Sequence, residues 1–136
     1  MKSTEDPWTS LGLLLLRLGT AGLLFFGHGW DKIMRFGDLA PRFADPIGLG
    51  PELSLALVVF AEVFCTTAIA IGLWTRVASI PIIIFALIAA FIHHIDDPWG
   101  KKELALLYLV PAVTLAVTGG GLFSLDAVLF GRKKGN

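Results

Sequence analysis

The sequence predicts an all-α integral membrane protein, a bundle of four transmembrane helices with a short interfacial C-terminal helix. Hydrophobic residues make up 55% of the 136 residues and charged residues only 16%, whereas a typical soluble domain has roughly 25% charged residues. The mean hydropathy is +0.75. Four segments also approach the length of about 20 apolar residues that a helix needs to cross a bilayer core.

The four predicted helices belong to a single transmembrane domain, residues 1–136. They cover about residues 9–29, 51–74, 77–95 and 102–118. The first contains one charge, Arg17, the second contains Glu62, and the third contains none. The fourth begins near Lys102 and continues into a long uncharged stretch. Because the residues before the first helix, Glu5 and Asp6, are acidic, we expect that helix to be retained rather than cleaved as a signal peptide.

The connections between the helices differ in length. Residues 30–50 form a polar loop in which Leu39, Phe43 and Ile47 recur at a spacing of four, which favours a short interfacial helix. The other two connections are short turns. A glycine triplet ends the fourth helix, and residues 123–130 form the predicted interfacial C-terminal helix. Tryptophans fall at the predicted helix ends, as in the aromatic belt of membrane proteins: Trp8, Trp30, Trp74 and Trp99.

An even number of spans places both termini on one side of the membrane, which we expect to be the cell (inner or plasma) membrane. The two sides carry five basic residues each, so the overall tally does not orient the chain. The cluster Arg132-Lys133-Lys134 directly follows membrane-associated sequence, however. Because basic residues beside a span favour the cytoplasm, we expect cytoplasmic termini.

Charge and cysteine usage exclude several function classes. Eleven basic residues balance eleven acidic ones, and a nucleic-acid binder would show a basic excess or stripe. Cys65 is the only cysteine, so the chain has no internal disulfide, no redox-active dithiol and no thiolate set for an iron–sulfur cluster. The expected partners are the lipid bilayer and a membrane or exported protein, with a second copy of the chain as a further alternative.

Two charges lie deep inside the predicted spans. Arg17 is eleven residues from His28, near one end of the first helix, and Glu62 is eleven residues from Pro51, at the start of the second. Each therefore lies roughly 16 Å from the same surface. Since a lone charge at mid-bilayer costs at least ~2.5–3.5 kcal/mol, we expect an Arg17–Glu62 ion pair. The pair is either a structural clasp or a polar site for a head group, a quinone carbonyl or a proton.

All three histidines gather at one end of the predicted bundle. His28 lies about three turns from Arg17 on the same face of the first helix, and His93 and His94 end the third helix on the same side of the membrane. The three histidines are candidate metal ligands, because imidazole with nearby carboxylates can bind a metal. The alternatives are a quinone or polar-substrate pocket, and plain interfacial residues wetted by lipid head groups.

We expect one intramembrane cavity to collect these groups. Tyr108, the only tyrosine, lies near the start of the fourth helix, and Glu103 begins that helix as a cap or as a further lining residue. The predicted cavity is lined by Arg17, His28, Glu62, His93, His94, Tyr108 and Glu103. Small residues are expected to make the helix contacts, since leucine gains little by leaving lipid: Gly19, Gly27, Ala61, Ala68, Ala86 and Ala90.

Several ordered pieces of the chain resemble the DoxX family. Its opening pattern RLxxGxxFxxHGxxK looks like three runs here: Arg17-Leu18-Gly19, Phe26-Gly27-His28-Gly29 and Lys32-Ile33. Further matches are Glu62, Gly72-Leu73, Thr75-Arg76, the histidines of the third helix, the run from Glu103 to Tyr108, and Ser124-Leu125-Asp126. The resemblance covers about residues 11–130.

The resemblance implies a small four-helix membrane protein linked to redox chemistry. DoxX-like proteins are named after subunits associated with quinone-linked sulfur oxidation and terminal quinol oxidase. The chain would then be a membrane component of a quinone-linked oxidoreductase system whose cavity binds a quinone or similar small ligand. The alternatives are a non-enzymatic scaffold or assembly factor, and a membrane protein that handles a metal or small solute. Its cofactor would be a quinone before a metal or haem, and both catalysis by the chain itself and service to a catalytic partner stay open.

Overall fold

The computed structural model describes residues 6–131, and within that range the chain forms helices and turns without a strand. The helices are α1 (Pro7–Met34), α2 (Pro51–Ile71), α3 (Thr75–His93), α4 (Trp99–Thr118) and α5 (Leu125–Phe130). The all-α prediction is confirmed. Helices α1, α2 and α3 are long and apolar enough to cross a membrane. Helix α4 has 20 residues, but charged residues 101–103 in its first turns shorten its apolar part.

Helix α1 begins with a side-chain cap and runs further than its sequence predicts. The carboxylate of Asp6 accepts a hydrogen bond from the backbone N–H of Thr9 at 2.8 Å, and this bond lowers the pKa of Asp6. Pro7 occupies the first helical position, where its missing N–H costs nothing. The helix ends at Met34, beyond the predicted end at residue 29, so part of the predicted loop is helical.

The remainder of the 30–50 segment is only partly helical. Phe36–Leu39 forms one short helical turn, and Ala40–Arg42 continues as a 3₁₀ turn. Leu39 and Phe43 pack against a small core formed by Leu55, Val59 and Val63 of α2. This packing holds residues 35–50, which we call the connecting segment, against α2.

The turn between α2 and α3 is bound by the C-terminal part of the chain. Gly72 ends α2 in the left-handed conformation with φ +74°, and Trp74 adopts φ +47°. The carboxylate of Asp126 accepts hydrogen bonds from the backbone N–H groups of Trp74 at 2.6 Å and Thr75 at 2.9 Å. Asp126 thereby caps α3 from a distant part of the sequence.

The ends of the described chain lie at the same end of the bundle. The backbone N–H of Leu122 donates to the Ser10 hydroxyl at 3.1 Å, which joins the start of α1 to the loop after α4. We call residues 119–126 the C-terminal clasp, because they bind both α1 and the α2–α3 turn. The Arg132-Lys133-Lys134 cluster lies outside the described residues.

Small residues make some of the expected helix contacts but not all of them. Ala61, Ala86 and Ala90 are fully buried, and Ala68 packs at the edge of the core that contains Ala61. The prediction for Gly19 and Gly27 is wrong, since both are exposed with open space where a Cβ would lie. Large aliphatic side chains also fill the core, among them Leu24, Leu55, Ile69, Ile82 and Leu115.

Candidate ligand cavity

A cavity of about 540 Å³ lies at the end of the bundle opposite the C-terminal clasp. Helices α1 to α4 all contribute to it, together with the connecting segment before α2. Five of the seven predicted cavity residues line it: His28, Glu62, His93, His94 and Tyr108. Arg17 and Glu103 are not among its lining residues. The structure adds three polar lining residues that were not predicted: Lys32, Ser54 and Lys101.

The buried charge in the cavity is Glu62, and its partner is Lys32. The Lys32 Nζ lies 2.7 Å from the Glu62 Oε2, and the Glu62 side chain is only 1% exposed. Lys32 also donates to the backbone carbonyl of His28 at 3.3 Å. Lys32 follows His28 by four residues on one helix face, so the HGxxK spacing is the signal that could have identified it.

The predicted Arg17–Glu62 ion pair is wrong because the depth estimate placed the end of α1 too early. Helix α1 continues six residues beyond His28, which corresponds to about 9 Å of additional helix. Consequently Gly29, not Arg17, packs against the Glu62 backbone: a Cβ on Gly29 would lie 2.7 Å from the Glu62 carbonyl oxygen. The last turns of α1 therefore supply the partner of Glu62.

Arg17 lies near the other end of the bundle and binds the C-terminal clasp. Its Nη1 donates to the Gly120 carbonyl at 2.9 Å and its Nη2 to the Phe123 carbonyl at 2.8 Å. The side chain is 1% exposed. Arg17 therefore has a structural role, which was one of the two interpretations of this buried charge. Its partners, however, are backbone carbonyls after α4 rather than a carboxylate on α2.

Three π-helical turns place cavity residues, and the sequence did not predict them. They are Phe25–Gly29, Phe60–Cys65 and Ala89–His93, which carry His28, Glu62 and His93 respectively. A π turn inserts one extra residue into an α-helix, and such turns are frequent at functional sites. On α2 the Thr66 hydroxyl donates to the Glu62 carbonyl at 2.6 Å, which satisfies a carbonyl of the widened turn.

His28 connects α1 to α4 across the cavity. Its ring lies 5.7 Å from the Tyr108 ring, centroid to centroid, at an interplanar angle of 87°. This edge-to-face contact is the preferred arrangement of two aromatic rings. It holds the His28 ring in the wall of the cavity.

Polar side chains border the cavity at the turn between α3 and α4. The Nδ1–H of His94 donates to the Asp97 carboxylate at 2.6 Å, since an ionised carboxylate can only accept. This hydrogen bond, helped by nearby Lys101 at 3.9 Å, lowers the pKa of Asp97. We call His93, His94, Asp97 and Lys101 the polar rim.

The geometry does not favour the metal alternative. Among residues 6–131, no group of three or more His, Cys, Asp or Glu side chains is arranged to hold a metal ion. His93 and His94 lie 4.5 Å apart, centroid to centroid, but His94 is engaged by Asp97. Glu103 is exposed on α4 outside the cavity lining.

Close packing at Gly29 should be essential to the site. Gly29→Ala is expected to push α1 away from α2, because the new Cβ would press on the Glu62 backbone and on Val63 Cγ2 at 3.0 Å. We expect a lower melting temperature in detergent and a looser cavity. Gly27→Ala is the matched control, since it lies in the same π turn with open space around it. Equal melting temperatures for the two variants would contradict this packing.

Comparisons with known proteins place this chain among membrane proteins. The DoxX family model matches residues 12–95. The chain is 30% identical over 128 residues to "Putative oxidoreductase CatD" of Bacillus subtilis (strain 168), covering 93% of each chain. It is 29% identical over 133 residues to "Inner membrane protein YqjF" of Escherichia coli (strain K12), covering 95% of this chain and 97% of that protein. No solved structure matches the chain significantly.

Proposed function

This chain belongs to the DoxX family, and on that premise we propose that it is an integral membrane component of a quinone-linked oxidoreductase system, with the cavity as its quinone site. The observation that carries the proposal is the buried Lys32–Glu62 pair, with His28 beside it, in the wall of a roomy cavity whose lining is mostly apolar. The name of CatD, which refers to an oxidoreductase, supports the redox role.

We place the protein in the cell (inner) membrane with four spans. The name of YqjF supports that membrane. Helix α4 is the fourth span, and it packs along α3 for much of its length. Helix α5 exposes Val128, Leu129 and Phe130, which suits a helix that lies on the membrane interface. Both termini are on the cytoplasmic side, in line with the basic cluster that ends the chain.

The cavity residues fit a quinone head group in size and chemistry. A volume of about 540 Å³ lies within the usual range for small-molecule sites, roughly 300–1,000 Å³. A lysine ammonium has three donors, of which the Glu62 carboxylate and the His28 carbonyl take two. The third donor of Lys32 and the ring of His28 are the groups that would bind a quinone carbonyl.

These residues would also favour the reduced form of the ligand. A bound quinone would supply two-electron, two-proton redox chemistry, with the electrons exchanged with a partner membrane oxidoreductase. Lys32 places a positive charge where negative charge develops on the oxygen, and such preorganised donors are most effective in a site of low dielectric. The polar rim, with Lys101 and His93 exposed, offers the route by which protons reach water.

The test is quinone binding by the purified protein in lipid nanodiscs. We expect extracted quinone to accompany the wild-type protein, and a ubiquinone analogue with a ten-carbon tail to bind. His28→Ala should lower the melting temperature only slightly, because it removes one ring contact with Tyr108 but leaves no charge unpaired. It should weaken binding about tenfold, the effect of losing one hydrogen bond of ~1.4 kcal/mol. Glu62→Gln should also weaken binding, because the carboxylate no longer holds the Lys32 ammonium in position in the cavity wall.

The matched control is Glu103→Gln, which removes an exposed carboxylate outside the cavity and should bind as the wild type does. If neither ubiquinone nor menaquinone analogues bind, and none is extracted with the protein, the quinone proposal fails. The non-enzymatic scaffold then becomes the better interpretation of the same bundle.

A further inference from the structure

The cavity lies between helices that separate towards its end of the bundle. The second half of α2, from Phe60, packs against α3, whereas its first half packs mainly against the segment that follows α1. Leu57 and Val58 line the cavity from α2, and Ile84 and Ile88 line it from α3. The first half of α2 makes few contacts with α3, so the two helices leave space between them where both line the cavity.

Exposed aliphatic side chains form the walls of this opening. Leu57 is 48% exposed, Ile84 is 52% exposed and, on α4, Leu104 is 45% exposed, although all three line the cavity. The cavity therefore reaches the surface of the bundle at these side chains. We call Leu57, Ile84 and Leu104 the lateral opening.

The depth of Leu57 and Ile84 along their helices corresponds to the hydrocarbon layer of a membrane. Leu57 is six residues into α2, about 9 Å of helix, and Ile84 is nine residues before the end of α3, about 14 Å. At that depth the neighbours of an exposed aliphatic group are acyl chains and not water. A molecule that passes the lateral opening must come from the bilayer.

The connecting segment covers the cavity at the end of the bundle where α2 begins. Phe43, Pro46 and Ile47 line the cavity there. Asp45 holds the segment in place, since its carboxylate accepts from the backbone N–H of Gly50 at 2.9 Å and from the Ser54 hydroxyl at 2.9 Å. An apolar cover on this side and an apolar opening towards lipid favour loading from the membrane.

We propose that the cavity takes a single-chain amphiphile from the bilayer through the lateral opening, with its head group at Lys32–Glu62 and its one apolar chain lying between α2 and α3–α4. This inference rests on the proposed function for the head group and adds the route of entry and the chain. The Lys32–Glu62 pair would bind the head group, and the aliphatic lining residues of α2, α3 and α4 would pack against the chain. A cavity that exchanged its ligand only with water would not need exposed aliphatic side chains at its opening.

The test uses palmitic acid with a mid-chain diazirine, photolysed with the full-length protein in liposomes and mapped by peptide mass spectrometry. We expect label on Ile88 and Tyr108 inside the cavity, in addition to label on lipid-facing Leu87. Ile84→Trp fills the lateral opening and should remove most label from Tyr108. Leu57→Trp, on the opposite wall, should do the same.

The matched control is Leu87→Trp, because Leu87 is 40% exposed on the same helix but does not line the cavity. It should leave the Tyr108 label intact. Absence of label on Tyr108 in the wild type, or label that both opening variants leave unchanged, would overturn lateral loading. Adding the ten-carbon ubiquinone analogue separates the two proposals: protection of Tyr108 supports a quinone, whereas undiminished label overturns the quinone and leaves lateral loading in place.

Discussion

Lys32→Met is expected to destabilise the protein by about 3–5 kcal/mol, because it leaves the buried Glu62 without a cation. Glu62 is 1% exposed and Lys32 20% exposed, so the buried carboxylate depends on Lys32 for its compensating charge. Protonation of Glu62 limits the loss but does not abolish it, since the neutral acid must still find a hydrogen-bond partner. The readout is the thermal unfolding midpoint in detergent.

The double variant Lys32→Met with Glu62→Leu distinguishes a buried ion pair from two independent contributions. When both partners become apolar, no uncompensated charge remains, and most of the lost stability should return. Strictly additive losses from the two single variants would show that the pair is not coupled.

The chain carries its own control for this experiment. Arg35 pairs with Asp31 at 3.2 Å on the same stretch, but these side chains are 50% and 64% exposed. Exposed pairs contribute about 0–1 kcal/mol, so Arg35→Met should scarcely move the midpoint. A loss as large as that of Lys32→Met would mean that burial does not set the strength of the Lys32–Glu62 pair.

The all-helical architecture and much of the lining of the cavity could be predicted because lipid imposes simple rules. Spans must be apolar, and polar groups inside them must face the interior of the bundle. His28, Glu62 and Tyr108 therefore lie where polar residues on apolar helices have to lie. The rule does not require conservation or a known template, since it follows from the cost of exposing a polar group to hydrocarbon.

The ion-pair partner of Glu62 could not be predicted in the same way, because it depends on where each helix ends. Helix boundaries are the least certain part of a sequence prediction, and a shift of about 9 Å in α1 exchanges Arg17 for Lys32 as the partner of Glu62. The π turns are a second obstacle. They change which side of Phe25–Gly29 faces α2, so Gly29 is buried and Gly27 is exposed, and no spacing in the sequence signals them.

Arg17→Met is expected to release the C-terminal clasp from the bundle. The guanidinium holds the carbonyls of Gly120 and Phe123, and each carbonyl left buried without a donor costs about 1–3 kcal/mol. Glycine at positions 72 and 120 makes this arrangement possible, because a Cβ at either one would contact the Arg17 Nη1. The expected result is a lower unfolding midpoint together with a local loss of order.

Hydrogen–deuterium exchange of residues 119–131 measures the local effect. In the wild type, backbone N–H groups of this segment donate hydrogen bonds to the Ser10 hydroxyl, the Gly72 carbonyl and the Ser124 hydroxyl. Release of the clasp should expose these groups to exchange together. Exchange should rise there in Arg17→Met, while residues 43–50 at the opposite end, held by Asp45, should keep their wild-type rate.

Arg17→Lys should be intermediate, since one ammonium cannot reproduce the two-pronged geometry of the guanidinium. A rise of equal size at both ends, or none at residues 119–131, would show that Arg17 does not act through the clasp.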